Sequence, residues 1–353
     1  MKKNFWLSVL ILNICLIMCA CETKTMEPVT ARINEQIHIA DGISITYEEK
    51  DYFNVNTYFC KKGVIDKSVI ENLFNEVPEE TQDYTADGKE RLLLSTNNNR
   101  ENGFIFGSVA RYCTEPGFYH DNFYNSLGNE ISFYLSDSEF TWDDYYGINT
   151  EYSPEIKGEI QDAVYDLMLS LGINDYSMKI NSVSQAAFEE YSDWYSLTLG
   201  NGAKDSEETP FGEYEEFYYI NIYPLIDSIP VFSGELGDIE KGTRIAGTTI
   251  FVVFTKSGIE SFYGLSNYVV TEIGDENINI ISQSEAVERL KNKYENELIN
   301  QSIEFNNLEL VYLPYPNTDS DQNKSYVLTP AWRFSDGKQT EIYFNAITGE
   351  EVV

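Results

Sequence analysis

Cationic side chains are scarce in this sequence. Its 353 residues carry 24 lysines and arginines against 58 aspartates and glutamates, a formal charge of −34 at neutral pH. Phosphate backbones repel a chain of that sign, so no nucleic-acid partner is expected, and anionic lipid repels the body of the protein as well. Acidity of this kind keeps a protein soluble at a charged surface; cation binding or a basic partner is the sharper alternative. Histidine occurs only as His38 and His120, in no zinc-ligand spacing and no Ser-His-Asp order, and no Gly-rich phosphate loop accompanies them. No metal and no cofactor is therefore expected, and "GFYHDNFY" around His120 reads as a packed aromatic turn. Cysteine is sparse too. Cys15, Cys19 and Cys21 crowd the start, leaving Cys60 and Cys113. That pair is a candidate disulfide if the chain lies outside the cytoplasm. Two buried thiols are the equal alternative, because a single pair carries no spacing signature.

The long apolar run sits at the start. "MKKNFWLSVLILNICLIMCACETKT" opens on Lys2 and Lys3, runs apolar from Phe5 to Met18 with only Ser8 and Asn13 interrupting, and ends on small Ala20 before Cys21. The run is short for a bilayer span and reads as the h-region of a secretory signal, an uncleaved membrane anchor being the alternative. "MCAC" resembles the lipobox of bacterial lipoproteins, with Met18 where leucine is usual. The resemblance implies a signal peptide over 1–20 and lipidation at Cys21, the first mature residue. At about 0.8 kcal/mol per buried CH₂, two acyl chains suffice for stable anchoring. Residues 21–30 are polar, contain Pro28 and read as a tether. The expected location is extracytoplasmic, with the cell membrane as a partner through the lipid.

Hydrophobic residues make up 42% of the chain and aromatics 14%, so the rest folds around a core and is long enough for two domains. "ISITYEE", "TADGKERLLLST" and "NEISFYLSDSEFTW" read as strands, and "DKSVIENLFNEVP" as a short helix capped by Asp66. "SPEIKGEIQDAVYDLMLSLGI" is a stronger helix. Ser153 is its N-cap, Pro154 its first residue, and Ile156, Ile160, Val164, Leu167, Met168 and Leu171 form one stripe before a left-handed stop at Gly172. A second amphipathic helix opens at Ser282 with Glu285 as its capping box. "EEFYYINIYPLID", "GTTIFVVFTKSGIESFYG", "LELVYLPY", "SYVLTPAWRF" and "TEIYFNA" read as strands and hairpins. The expected fold is α+β: a β-rich N-terminal domain over 31–150, then helix-on-antiparallel-sheet units over 151–240 and 241–353.

Two stretches carry chemistry-bearing side chains. "SEFTWDDYYG" gathers Trp142, Asp143, Asp144 and Tyr145, the materials of a sugar or ligand surface. Neighbours in sequence rarely flank one bond from both sides, so a binding surface or a half-exposed loop fits better than a pair of catalytic acids. "NTDSDQNKSY" puts Asp319, Asp321, Asn323 and Ser325 at the alternation of a calcium loop, but Lys324 and Pro330 stand where that loop needs glycine and glutamate. A polar hairpin loop is the expectation.

"SQSEAVERL", "LELVYLPY", "LTPAWRF" and "EIYFNAITGEEV", in that order, resemble the terminal unit of PepSY-type and YycH/YycI-type extracytoplasmic domains. In those a helix lies on a small antiparallel sheet, a Pro-x-Trp strand pairs with the last strand, and an Asn/Asp-Ala-x-Thr-Gly-Glu turn closes the unit. "IDSIPVFSG" and "TKSGIESFYG" also fit, with Ser228 in place of the usual glycine before Ile-Pro. The matching residues are structural. Gly349 suits a turn needing positive φ, Asn345 and Thr348 satisfy local backbone groups, and Trp332 is a core plug with one N–H to place. None is catalytic, so no enzyme is expected. The resemblance implies an interaction or regulatory role at the membrane surface, such as modulating a sensor kinase or a protease, and hence a protein partner there. YycH/YycI proteins usually keep a transmembrane helix where this chain has its lipobox-like cysteine. A solute-binding lipoprotein for a sugar or peptide and a carbohydrate-active hydrolase are the alternatives. Replacing the anchor residue, Cys21→Ala, should leave an unprocessed precursor or shed protein. Mass spectrometry and membrane fractionation read this out, and an unchanged mature mass with retained attachment would overturn the assignment.

Overall fold

The computed structural model describes residues 31–32, 37–45, 55–74, 79–84, 90–96, 100–106, 108–113, 153–183, 217–237, 244–295, 298–299, 302–317, 325–336 and 340–352. It is sheet-rich with few helices. In chain order come β1 (Ala31–Arg32), β2 (Ile37–Ile45), β3 (Tyr58–Lys62), α1 (Lys67–Glu71), β4 (Glu79–Tyr84), β5 (Glu90–Thr96), β6 (Arg100–Phe106) and β7 (Val109–Cys113). Helix α2 (Pro154–Ser170) leads to β8 (Tyr176–Val183), β9 (Phe217–Ile226), β10 (Ile229–Pro230), β11 (Glu235–Leu236) and β12 (Ile245–Ala246). The hairpin β13 (Thr249–Thr255) and β14 (Gly258–Leu265) follows, then β15 (Tyr268–Ile273) and α3 (Gln283–Tyr294). The last strands are β16 (Leu298–Ile299), β17 (Ile303–Pro316), β18 (Tyr326–Ser335), β19 (Glu341–Asn345) and β20 (Glu351–Val352).

Most strands fall into two sheets. A nine-stranded antiparallel sheet runs β10-β9-β13-β14-β7-β6-β5-β4, with β8 also paired to β9. A seven-stranded sheet runs β15-β3-β18-β17-β2, with β19 on β18 and β20 on β19. Its pairs are antiparallel except β2 with β17.

Each sheet carries helix on one face, and the sequence period explains which. In α2 the Ser153 hydroxyl accepts from the Ile156 N–H at 3.2 Å, Pro154 starts the helix, and Gly172 ends it at φ 74°. Its Ile160, Val164, Leu167 and Met168 are buried against Ile180, Ile220, Ile222 and Val252 of the larger sheet, joined by Val69 and Ile70 of α1. In α3 the Ser282–Glu285 capping box is complete. Ala286, Leu290 and Tyr294 pack on Leu308, Leu310, Tyr312, Trp332 and Phe334 of the smaller sheet. The terminal motif closes as its residues dictate. Asn345 Oδ1 accepts from the Ile347 and Thr348 N–H groups, Thr348 Oγ1 accepts from the Glu350 N–H, and Gly349 sits at φ 73°.

Two expectations change. The divide expected near 240 falls inside a sheet, since β9 pairs with β13 from Ile222↔Ile250 to Tyr218↔Phe254. Nor do the described strands of 31–150 stand apart. Strand β7 joins the larger sheet beside β14, and β3 joins the smaller one between β15 and β18. Periodicity assigns a strand its faces, while its neighbours across the sheet come from long-range pairing that local pattern does not carry.

The two sheets are tied where the chain crosses between them. Asp227 and Ser228 turn β9 into β10 at φ 50° and 64°, a conformation usually left to glycine or asparagine. Past the turn, Val231 bridges Tyr312 of β17 in parallel, and the Phe232 N–H donates to the Tyr312 carbonyl at 2.9 Å. The Tyr58 hydroxyl donates to Asp227 Oδ2 and accepts from Asn56 Nδ2, while the Tyr312 hydroxyl donates to the Asn56 carbonyl at 2.9 Å. Gly247 lets this segment pass: a Cβ there would lie 2.1 Å from the Phe232 carbonyl oxygen.

Trp332 is 1% exposed, and its Nε1 donates to the Ile281 carbonyl at 2.9 Å. Trp332→Ala should cost about 3–5 kcal/mol of unfolding free energy, measured by denaturant titration. A variant of unchanged stability would remove Trp332 from the core.

Candidate functional site

Alternation along the smaller sheet sends its charges away from α3. On β17 the helix face takes Leu308, Leu310 and Tyr312, and the other takes Glu309, Val311 and Leu313. On β18 the same split leaves Ala331 and Arg333 opposite Trp332 and Phe334, and on β19 it sets Tyr343 opposite Phe344. Register then aligns Glu309, Arg333 and Tyr343 across three strands, with Asn307, Ser335 and Glu341 as the next row. The result is a patch of polar side chains at one end of the face. The other end is apolar, with Val311, Leu313, Ala331 and Tyr343 packed on Phe232 and Ile245.

Opposite this patch lie Ser177 and Lys179 of β8 and Asn221 and Tyr223 of β9. Together the two walls and Pro230–Phe232 enclose a cleft of ≈ 560 Å³. At its centre Arg333 is gripped by two carboxylates, Nη1 donating to Glu309 and Nη2 to Glu341. The Tyr343 hydroxyl donates to the other oxygen of Glu341. Burial by itself would lower the Arg333 pKa, but Tyr343, Glu341 and Glu309 outweigh it and hold the guanidinium above its ordinary value, so it stays charged. Burial also pushes the Tyr223 and Tyr343 phenols up, which keeps both as protonated donors. Among the described residues Arg333 Nε is a buried donor with no partner.

The residues singled out from sequence lie elsewhere. Trp142, Asp143, Asp144, Tyr145, His120 and Cys21 fall outside the described residues. His38 stands on β2 in register with Glu304. The "NTDSDQNKSY" stretch connects β17 to β18, and the Asn317 N–H donates to the Ser325 carbonyl at its base, as a hairpin loop requires. Cys60 is a free, fully buried thiol on β3 of the smaller sheet, while Cys113 ends β7 of the larger one. The structure therefore does not join the candidate disulfide pair. Cys60 Sγ donates to the Tyr326 carbonyl at 3.7 Å, and burial raises its pKa to about 12. Among the described residues no group of three His, Cys, Asp or Glu side chains could hold a metal ion.

Glu309, Arg333 and Glu341 escaped sequence reading, although a signal was there. Each is a charge inside an apolar strand, in "LELVY", "AWRF" and "TEIYF", at the position whose neighbours face the core. Opposite charges at such positions on successive strands are candidates for cross-strand pairs.

Fold and cleft define a mixed, sheet-rich protein with a polar cleft between two helix-covered sheets. No protein-family model and no curated protein matches the chain. Among solved structures it is similar to an uncharacterized protein from Eubacterium rectale ATCC 33656, with a TM-score of 0.55 at 16% identity over 90% of this chain and 89% of that one. Identity at that level carries the fold and nothing of activity.

A buried thiolate is disfavoured, so Cys60 should resist alkylation in the native chain at pH 8 and react fully after denaturation without reductant. Mass spectrometry decides it. A thiol that stays blocked until reductant is added would restore the Cys60–Cys113 bridge.

Proposed function

We propose that this chain is a lipid-anchored, extracytoplasmic interaction or regulatory protein, non-catalytic, that engages a protein partner at the membrane surface through the inter-sheet cleft. The observation that carries this reading is the fixed charge cluster in the open cleft. Arg333 is oriented by two carboxylates from different strands, with Oε1 of Glu309 and Oε1 of Glu341 committed to it. Such a cluster presents a pre-set pattern of donors and acceptors to a guest, and it suits holding a ligand better than moving protons. The lipobox-like "MCAC" supports the anchor and the location. The resemblance of the last segments to PepSY-type and YycH/YycI-type units supports a regulatory role, such as modulating a sensor kinase or a protease. In this reading the α+β plan supplies two helix-on-sheet units, with strands of the β-rich N-terminal region built into both sheets. Among the described residues no helix is long and apolar enough to cross a membrane.

A solute-binding lipoprotein for a sugar or a peptide is the second reading. The cleft volume favours it, at ≈ 560 Å³ within the range of small-molecule sites.

Photo-crosslinking in the producing bacterium separates the two. A photoreactive residue at Ser177, on the cleft wall, should capture a membrane-associated protein. The same residue at Glu159, exposed on α2, should not. Capture at neither position, or only at Glu159, would overturn the reading. Capture of a saccharide or small solute at Ser177 would move it to the second.

A further inference from the structure

We propose that the occupant of the cleft is an extended, basic peptide segment of the partner, which adds a strand to the edge of β8 that no other described strand covers. This rests on the cleft being the interaction surface and goes on to name what enters it. Strand β8 pairs with β9 and with no other described strand. Its hydrogen-bond phase is set by the Leu225 N–H, which donates to the Asp175 carbonyl at 2.9 Å. In an antiparallel pair, bonded and non-bonded positions alternate. Ser177 and Lys179 therefore bond β9, and the N–H and C=O groups of Tyr176, Met178 and Ile180 point outward from the edge.

The cleft reaches that edge. Ser177, Met178 and Lys179 all line it, although they are consecutive. Successive side chains of a strand point to opposite faces, and Met178 packs on the α2 side with Ile180. What Met178 shows the cleft is its backbone. A row of backbone groups that no described strand pairs, opening into a cleft, is the template that strand addition uses. Alternate side chains of an added strand would face the Glu309–Arg333–Glu341 cluster, which carries one net negative charge.

Charge selects the guest. Lys179 lines the cleft but is exposed, so its stem can swing the ammonium into water. The cluster attracts a cation, and the whole chain, at −34, steers basic segments toward it and acidic ones away.

The test uses the full chain in detergent and fluorescence anisotropy, with a short blocked peptide of alternating Lys and Thr as the probe. That peptide should bind, more weakly as salt rises. A Glu/Thr counterpart should bind at least about tenfold more weakly, and so should the Lys/Thr peptide methylated on every backbone nitrogen, because alternate N–H groups face opposite edges and both edges then lose their ladder donors. Met178→Pro, which takes away one outward N–H and leaves the β9 ladder intact, should weaken binding similarly, while Met178→Leu keeps it. Equal binding of the methylated peptide, of the Glu/Thr peptide, or by Met178→Pro would overturn the proposal. So would absence of peptide binding. In that case a protein crosslinked at Ser177 leaves the cleft as the interaction surface and removes only strand addition, whereas no crosslink there removes both. Because the methylated peptide leaves the protein unchanged, a misfolded Met178→Pro variant cannot decide the outcome.

Discussion

The hydrogen bond from the Phe232 N–H to the Tyr312 carbonyl, with the Val231–Tyr312 bridge beside it, holds the larger sheet's departing strand against the smaller sheet. The cleft depends on this crossing. Two sheets each covered by helix on one face are free to stack in many ways on the other. Here the segment Ile229–Phe232 belongs to the larger sheet at its start and to the edge of β17 at its end, so the distance between the facing walls is set by a few covalent bonds. The Asp227–Ser228 turn pays for that geometry with two residues at positive φ. Tyr58 and Tyr312, packed edge to face at 5.7 Å, hold it from the other side.

Once the walls are set apart, the polar side chains between them keep the cleft from closing. The apolar end of the face, around Val311, Leu313 and Ala331, packs directly on Phe232 and Ile245. At the other end Glu309, Arg333 and Glu341 satisfy one another within a single sheet. A charge cluster hydrogen-bonded within its own wall gains little by closing on the opposite one, and desolvating it further would cost free energy. Strand β8 adds the second functional element, a backbone edge that borders the same space.

Several local features were legible in the sequence for definite reasons. The caps at Asp66, Ser153 and Ser282 are short-range hydrogen bonds between residues a few positions apart, and they form where the residue types ask for them. The stripe Ile160, Val164, Leu167 and Met168 is a consequence of helical period, and the alternation in "LELVYLPY" one of strand period. Trp332 as a core plug and Gly349 at positive φ follow from size and from the missing Cβ. The cleft was not legible in this way. Glu309, Arg333 and Glu341 are 24 and 8 positions apart along the chain, and only the register of β17, β18 and β19 makes them neighbours. Cys60 and Cys113 show the converse, a candidate pair suggested by scarcity whose members lie in different sheets.

The sequence by itself determined the helices, their caps and buried faces, most of the strands and the closing turn, because each rests on interactions within a few residues or on a repeating period. It also determined the sign of the protein's field, which is a sum over side chains and needs no fold. The tertiary structure alone decided which strands share a sheet, that the chain crosses between sheets at Val231, that three distant charges meet, and that no other described strand pairs with β8 beyond β9. Those outcomes depend on contacts between residues far apart in the chain, chosen by the packing of all elements together, and no local pattern encodes that choice.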